Sequence, residues 1–178
     1  RRRWHGVGGI LLGLGNLLCK LYLTVIRGTP STVQLLIMYF IIFGSSQNMM
    51  AAAIISFGVN SGAYVAEIVR SGIMSIPKGQ MEAGRSLGLN YATTMRCIII
   101  PQAIKNILPA LGNELITLLK ETSICTVIGL MDLTKGAMIV QSRTYAPWVP
   151  YLSIAIIYLV IVLILTKLLG ILERRLRK

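Results

Sequence analysis

The stretch YLSIAIIYLVIVLILTKLLGIL, residues 151–172, decides the class of fold because Lys167 is its single charged residue. One crossing of a lipid bilayer needs about 20 predominantly apolar residues. The rest of the chain has the same character, since 54% of its 178 residues are hydrophobic and only 13% are charged. A soluble domain carries roughly 25% charged residues. The sequence therefore predicts an integral membrane protein.

The net charge of the chain is +12, from 18 Lys and Arg residues against six acidic residues. A nucleic-acid-binding protein of this charge would not be so apolar, so no nucleic-acid partner is expected. The excess of positive charge fits cytoplasmic flanks of membrane spans, with contacts to membrane lipid. The three cysteines, with one His in the whole chain, form neither a disulfide framework nor a metal-binding pattern.

Four membrane spans are predicted from the long apolar stretches, at residues 30–43, 49–69, 103–130 and 151–172. The first of these is short, and the third is unusual because Asn113, Glu114, Lys120 and Glu121 lie inside it. Residues 7–26 are also apolar, but they contain several glycines and Lys20, so we expect an interfacial helix there rather than a crossing. The predicted fold class is therefore an all-α, multi-span helical bundle.

The polar segment 70–102 is too long for a turn and separates the second and third predicted spans. If this segment is cytoplasmic, fifteen basic residues lie inside, two lie outside, and Lys120 lies within a span. This distribution follows the positive-inside rule. The sequence therefore predicts a cytoplasmic segment 70–102 and a cytoplasmic C-terminus.

The same segment is predicted to form two short helices separated by a turn near Gly88, which reaches positive φ at no steric cost. Pro101 has no amide donor and is expected to begin a new helix. We therefore expect a helix–turn–helix that protrudes from the cytoplasmic face.

This segment resembles the EAA loop of the permease subunits of ABC importers. Glu82, Ala83 and Gly88 match that motif, and after nine residues Ile98 and Pro101 complete it. Gly84 replaces the usual second alanine, and Ile100 replaces the usual leucine. Further stretches resemble the polar amino acid branch of the same family, at residues 22–30, 63–73, 79–80, 101–103, 119–123, 128–130 and 172–175.

The resemblance implies that residues 1–178 are a single transmembrane domain of a type I ABC importer, with segment 70–102 as its EAA coupling loop. Members usually have five spans, so the first span is expected to be missing from this chain. The residues implied to contact the ATPase are Glu82, Ala83, Gly84, Gly88 and Pro101.

The resemblance also implies the partners and the location. These are a second permease subunit (identical or different), two ABC ATPase subunits, an external amino-acid-binding protein and a polar or charged amino acid as substrate. The chain would lie in the cytoplasmic (inner) membrane of a bacterium. It contains no Gly-x-x-x-x-Gly-Lys-Ser/Thr phosphate loop, so it is not expected to be an enzyme or to hold a cofactor. ATP and Mg²⁺ would be bound by the partner ATPase.

Polar residues inside predicted spans mark a candidate substrate pathway, because such residues are costly in the membrane. At ~1.5 Å per residue, Asn113 and Glu114 lie roughly 13 Å from Lys105, near the middle of the bilayer. Carboxylates would bind the ammonium group of an amino acid, and amides or hydroxyls would bind its carboxylate. The candidate pathway residues are Asn60, Tyr64, Glu67, Asn113, Glu114, Thr117, Lys120 and Glu121.

Simpler roles stay open for several of these residues. Glu67 can pair with Arg70 three residues later, and Glu114 can form a structural hydrogen bond between helices. Lys120 and Glu121 can neutralise each other or a neighbouring span rather than form a gate. An ATP-independent carrier or channel is the alternative function, although no inverted repeat is visible. A membrane enzyme has little support, because no catalytic cluster is visible.

Overall fold

The computed structural model describes residues 7–46 and 48–177, and these residues form helices joined by short connections. Arg1, Arg2 and Arg3, counted above as cytoplasmic, lie outside the described residues. The helices are α1 (Val7–Gly28), α2 (Ser31–Ile37, continued by a π-helical segment Met38–Ile42), α3 (Met49–Met74), α4 (Lys78–Ser86), α5 (Tyr91–Thr94, continued by a π-helical segment Met95–Ile99), α6 (Ile100–Glu121, followed by a 3₁₀-helix Thr122–Ile128), α7 (Leu133–Thr144) and α8 (Trp148–Arg177). The expected all-α class is confirmed.

Three described helices are long and apolar enough to cross a membrane, at Gly9–Gly28, Met49–Met74 and Trp148–Leu176. A fourth crossing is possible in length and composition if the pair Tyr91–Ile128 and Leu133–Thr144, bent by 50°, counts as one span. The predicted spans at 49–69 and 151–172 are confirmed as helices of spanning length. The predicted span at 103–130 corresponds to part of the bent pair.

Both segments predicted in the first 43 residues form helices. The segment expected as a short first span forms the apolar helix Ser31–Ile42, which is shorter than the three helices of spanning length and starts directly after Pro30, because proline cannot continue the preceding helix. Residues 7–26, expected to form an interfacial helix, lie in the 22-residue helix α1. Its length and composition also fit a membrane span, and since interfacial helices of this length are common, the interfacial location stays a prediction. The glycines of α1 lower the helix propensity but do not interrupt the helix.

The chain divides into two compact units after Ala63, within α3. In the first unit, Leu35, Ala52 and Phe57 are buried. The phenol of Tyr22 on α1 donates a hydrogen bond to the carbonyl oxygen of Val59 on α3, at 2.6 Å. This bond ties α1 to α3 inside the first unit.

The second unit, Tyr64–Lys178, is built around α6. Residues 91–121 form one continuous helical segment, the α5–α6 rod, in which Ile99, Ala103 and Ile116 are buried. Gly112 faces the side chain of Leu169 on α8 so closely that a Cβ at this glycine would overlap it. A small residue at a helix contact lets two helices approach closely, as is common in membrane bundles.

Pro101 lies in the first turn of α6, as expected, but α6 follows the preceding helical segment without a break. Residues 91–121 form one continuous helical rod, with the π-helical segment Met95–Ile99 directly before Pro101. Proline removes one backbone donor, and a widened π-helical turn is one of the ways in which a helix accommodates such an interruption. The segment 70–102 therefore contains one short helix, α4, and the start of a long one.

Candidate functional site

The predicted turn at Gly88 is present and joins α4 to the long rod. Gly88 has φ of +82°, in the left-handed region that favours glycine. The amide of Leu89 donates to the carbonyl oxygen of Gly84 at 3.1 Å, and that of Leu87 donates to Ala83 at 3.1 Å. These bonds close the end of α4 in the manner of a glycine-terminated helix. We call residues 78–99 the α4 hairpin.

Asn90 starts the second arm of the α4 hairpin. Its side-chain Oδ1 accepts a hydrogen bond from the backbone N–H of Thr93 at 2.8 Å, which is a typical N-cap. The hydroxyl of Thr94 donates to the carbonyl oxygen of Asn90 at 2.9 Å. Sequence reasoning missed both residues, although an asparagine directly after the Gly88 turn is a recognisable helix-start signal.

Gly84 is the point at which the two arms of the α4 hairpin touch. A Cβ at Gly84 would lie 2.5 Å from Cγ2 of Thr94 and 3.1 Å from Cδ1 of Ile98. Thr94 is fully buried, so it has little room to move away. The departure of this position from the alanine of the EAA motif therefore has a structural reason in this chain.

The opposite side of the α4 hairpin is open to solvent. Glu82 and Ala83 are exposed on α4. Leu87 at the turn is 81% exposed, and Tyr91 at the start of the second arm is 60% exposed. A hairpin that exposes a carboxylate as well as apolar and aromatic side chains offers a surface suited to contact with another protein.

Asn60, predicted to line the substrate pathway, lies in the first unit and is 4% exposed. Its Nδ2 donates to Oε1 of Gln34 at 2.9 Å. Nε2 of Gln34 in turn donates to the carbonyl oxygen of Ile26 at 2.7 Å and to Oγ1 of Thr29 at 2.7 Å. This network ties the α1–α2 connection to α3, and the place of Asn60 in the substrate pathway stays a prediction. Gln34 was missed as a partner because nothing in the local pattern points to it.

Glu67 forms the ion pair that was predicted as the simpler of its two roles. Nε of Arg70 donates to Oε2 of Glu67 at 3.0 Å, and Nη2 of Arg70 contacts Oε1 as well. The two residues are three apart on α3, a spacing that brings side chains together on a helix surface. The structure thus confirms the ion pair, and Glu67 is engaged within its own helix.

The polar residues of α6 differ in burial. Glu114 and Glu121 follow Ile107 at seven-residue intervals and are half-buried. Ile107 packs on Gly72 of α3, where a Cβ would overlap its side chain. Asn113, Thr117 and Lys120 are exposed, and Thr117 lies three residues from Glu114, a spacing that makes the two side chains neighbours on the helix surface. On α3, Tyr64 is 37% exposed.

A metal site is not formed by any part of the chain that the structure describes, since no group of three or more His, Cys, Asp or Glu residues is close enough to hold an ion. The cysteines of that part are free: Cys19 and Cys97 are exposed and Cys125 is buried.

Comparison with known proteins identifies the family of the chain. The family model described as "Binding-protein-dependent transport system inner membrane component" matches residues 7–178. The arginine transport system permease protein ArtQ of Bacillus subtilis is 42% identical over 184 residues, covering 95% of this chain and 84% of its own. The glutamine transport system permease protein GlnP of Escherichia coli is 36% identical, covering 96% and 85%.

Solved structures share the fold. A crystal structure of an amino acid ABC transporter with histidines is similar with a TM-score of 0.84 and 53% sequence identity, covering 89% of this chain and 75% of that chain. An inward-facing structure of the MetNI methionine ABC transporter has a TM-score of 0.72 at 19% identity, covering 98% and 80%, and this likeness concerns the fold alone. The chain therefore belongs to the inner membrane components of binding-protein-dependent transport systems, as a multi-pass permease of the amino acid ABC transporter type.

Proposed function

We propose that this permease carries polar or charged amino acids across the bacterial inner membrane by alternating access, driven by ATP hydrolysis on two partner ATPase subunits. A second permease subunit and an external binding protein complete the transporter. ATP and Mg²⁺ bind to the ATPases, and the chain itself holds no cofactor. The observation that carries the proposal is the α4 hairpin, which exposes Glu82, Leu87 and Tyr91.

The α4 hairpin is suited to transmit force because its two arms cannot separate easily. Gly84 and Thr94 are in contact across the hairpin, and the turn between them is closed by backbone hydrogen bonds. A partner that seats on Glu82 and Leu87 would therefore move the second arm, which continues as α6. A conformational change in the ATPases would reach the membrane by this route.

The orientation follows from charge. Arg70, Lys78, Arg85 and Arg96 are exposed on or beside the α4 hairpin, and Arg174 and Arg175 lie near the end of α8. The positive-inside rule assigns both groups to the cytoplasm. The α4 hairpin would then face the ATPases, and the C-terminus would lie on the same side.

The substrate pathway is proposed to follow α6, with Glu114 as its charged residue. A half-buried carboxylate at membrane depth can bind the ammonium group of an amino acid, while Asn113 and Thr117 can donate to its carboxylate. The names of the relatives, which refer to arginine and glutamine transport, support an amino acid as the substrate. Tyr64 on α3 is a further candidate in the same unit. Lys120 and Glu121, the last two residues of α6, would contribute to a gate.

The substitution Glu82→Lys tests the docking role. It reverses the charge on the exposed face of the α4 hairpin without altering a buried contact, so the permease should still fold but should lose its ATPase. We expect at least tenfold less ATPase to co-purify with tagged permease from native membranes, with mass spectrometry identifying a protein that has a phosphate-binding loop.

Two further variants complete this test. Ser142→Lys introduces a lysine at an exposed position on α7 and should retain the ATPase. Glu82→Gln, which removes the negative charge without adding a positive one, should give an intermediate yield of ATPase. Equal recovery of the ATPase with Glu82→Lys and with the wild type would rule out the proposed contact.

The substitution Gly84→Ala tests the close contact in the α4 hairpin. Its new methyl group would meet the buried Thr94, and overpacking of this kind costs about 1–3 kcal/mol. We expect a lower unfolding temperature and reduced ATPase co-purification. Gly79→Ala is the matched control, because a Cβ at Gly79 meets nothing within 4 Å.

The double variant Gly84→Ala/Thr94→Ala should recover part of the loss, since shortening Thr94 removes the atom that the new methyl group meets. Identical behaviour of Gly84→Ala and Gly79→Ala in both assays would contradict the contact.

The substitution Glu114→Gln tests substrate recognition. Glutamine keeps the size and the hydrogen-bonding capacity of the side chain but removes its charge, so assembly should persist while uptake of radiolabelled amino acid into proteoliposomes falls about tenfold or more, the effect of losing a charged hydrogen bond. The same change at Glu173 on α8 should leave uptake within about twofold, as for most substitutions away from a site. Unchanged uptake by the Glu114→Gln transporter would exclude a substrate role for the carboxylate.

A further inference from the structure

The segment of residues 72–84, from the end of α3 through α4, contacts the α5–α6 rod at four successive points. Going down the segment from α3, Gly72 meets Ile107, Ser75 meets Asn106, Gln80 meets Gln102, and Gly84 meets Thr94 and Ile98. The partners on the rod therefore run in the opposite direction along the chain. The segment and the rod lie side by side as an antiparallel pair.

Between the two glycine contacts lies a break in the helical structure. α3 ends at Met74, and α4 begins at Lys78 after Pro77. Proline cannot continue the hydrogen bonding of α3. A break of a few residues between two helices is where a hinge would be expected, because such residues absorb changes in backbone angle.

Two amide side chains of the rod bridge this break. Nδ2 of Asn106 donates to Oγ of Ser75, on the α3 side, at 2.9 Å. Nε2 of Gln102 lies 3.5 Å from Oε1 of Gln80, on the α4 side, and also donates to the carbonyl oxygen of Ile98 at 2.8 Å. Since Gln102 and Asn106 are four residues apart, they lie on one face of the rod, one turn from each other.

The hydroxyl of Ser75 is itself held in place. It donates to the carbonyl oxygen of Gly72 at 2.8 Å while it accepts from Asn106. Gly72 in turn packs on Ile107, the residue next to Asn106. The steric contact and the hydrogen bond therefore support the same register between the end of α3 and the rod.

We propose that Asn106, assisted by Gln102, is a positioning residue that locks this break, so that α4, the end of α3 and the start of α6 move as one body during transport. The inference rests on the proposed function, because it concerns how the motion of the ATPases reaches the membrane. Glu114 lies eight residues beyond Asn106 on the same helix, roughly 12 Å along its axis. A displacement of α4 would therefore be carried to Glu114 without loss at the break.

The first test is the coupling ratio, the number of amino acid molecules transported per ATP hydrolysed by the complete transporter in proteoliposomes. Asn106→Leu removes the bond to Ser75, and Ser75→Ala removes that bond together with the bond from Ser75 to Gly72. We expect the ratio to fall at least about fivefold in each variant, the change that one such bond produces in an equilibrium. ATPase co-purification and basal ATP hydrolysis should stay at wild-type levels. Ser75→Thr, which keeps the hydroxyl, should restore the ratio.

These readouts separate a positioning role from a structural one. If the two residues only stabilised the fold, assembly, hydrolysis and uptake would fall together and the ratio would be unchanged, which would overturn the inference. The wild-type transporter, assayed in parallel, reports on the proposed function by itself. A wild-type ratio in both Ser75→Ala and Asn106→Leu would also overturn the inference while leaving the proposed function intact.

A cross-link provides the second test. Cysteines are introduced at positions 75 and 106 after Cys19, Cys97 and Cys125 have been changed to serine, and a short bis-thiosulfonate reagent joins them through disulfides. Before cross-linking, this variant lacks the Ser75–Asn106 hydrogen bond, so its coupling ratio should be about fivefold lower than that of the wild type. If the break stays locked throughout the cycle, the cross-link replaces the bond and returns the ratio toward the wild-type value. Arrest of uptake on cross-linking, reversed by a reductant, would show that the break opens and would overturn the inference.

Discussion

Close approach at glycines is the constraint on which the second unit depends. α6 meets α3 at Gly72, and its own Gly112 admits Leu169 of α8, while Gly84 lets α4 pack on the rod that continues into α6. Hydrophobic attraction between helices is weak in lipid, so such packing contacts supply much of the specificity of a membrane bundle. Because α6 is contacted in this way along its length, the element that bears Glu114 is also the element that α4 can move.

Hydrogen bonds between uncharged polar side chains fix the register of the helices that pack together. Gln34 and Asn60 tie α2 to α3 in the first unit, and Asn106 ties α6 to the end of α3 in the second. Bonds between neutral groups avoid the high cost of placing a charge in an apolar environment. The ion pair of Glu67 and Arg70 is different, because it joins partly exposed side chains on one helix surface and contributes little to stability.

The parts of this arrangement that depend on signals from neighbouring residues in the sequence were predictable. The turn at Gly88 follows from the need for positive φ, and the helices at 49–74 and 148–177 follow from long uncharged runs. The partners of Asn60 and Asn106 lie 26 and 31 residues away in sequence, and neither composition nor periodicity identifies such pairs. The glycines of α1 weaken a helix without ending it, so the helix predicted at residues 7–26 forms as Val7–Gly28.

The most direct test of the account is whether uptake depends on ATP. The permease is reconstituted in proteoliposomes with its ATPase and its binding protein. Radiolabelled amino acid is added on the side of the membrane to which the binding protein docks. Its uptake is followed with ATP, without ATP and with a non-hydrolysable ATP analogue. The account predicts accumulation against a gradient only with ATP and the binding protein. Equal uptake without ATP would contradict it and would favour a carrier or channel that works independently of an ATPase.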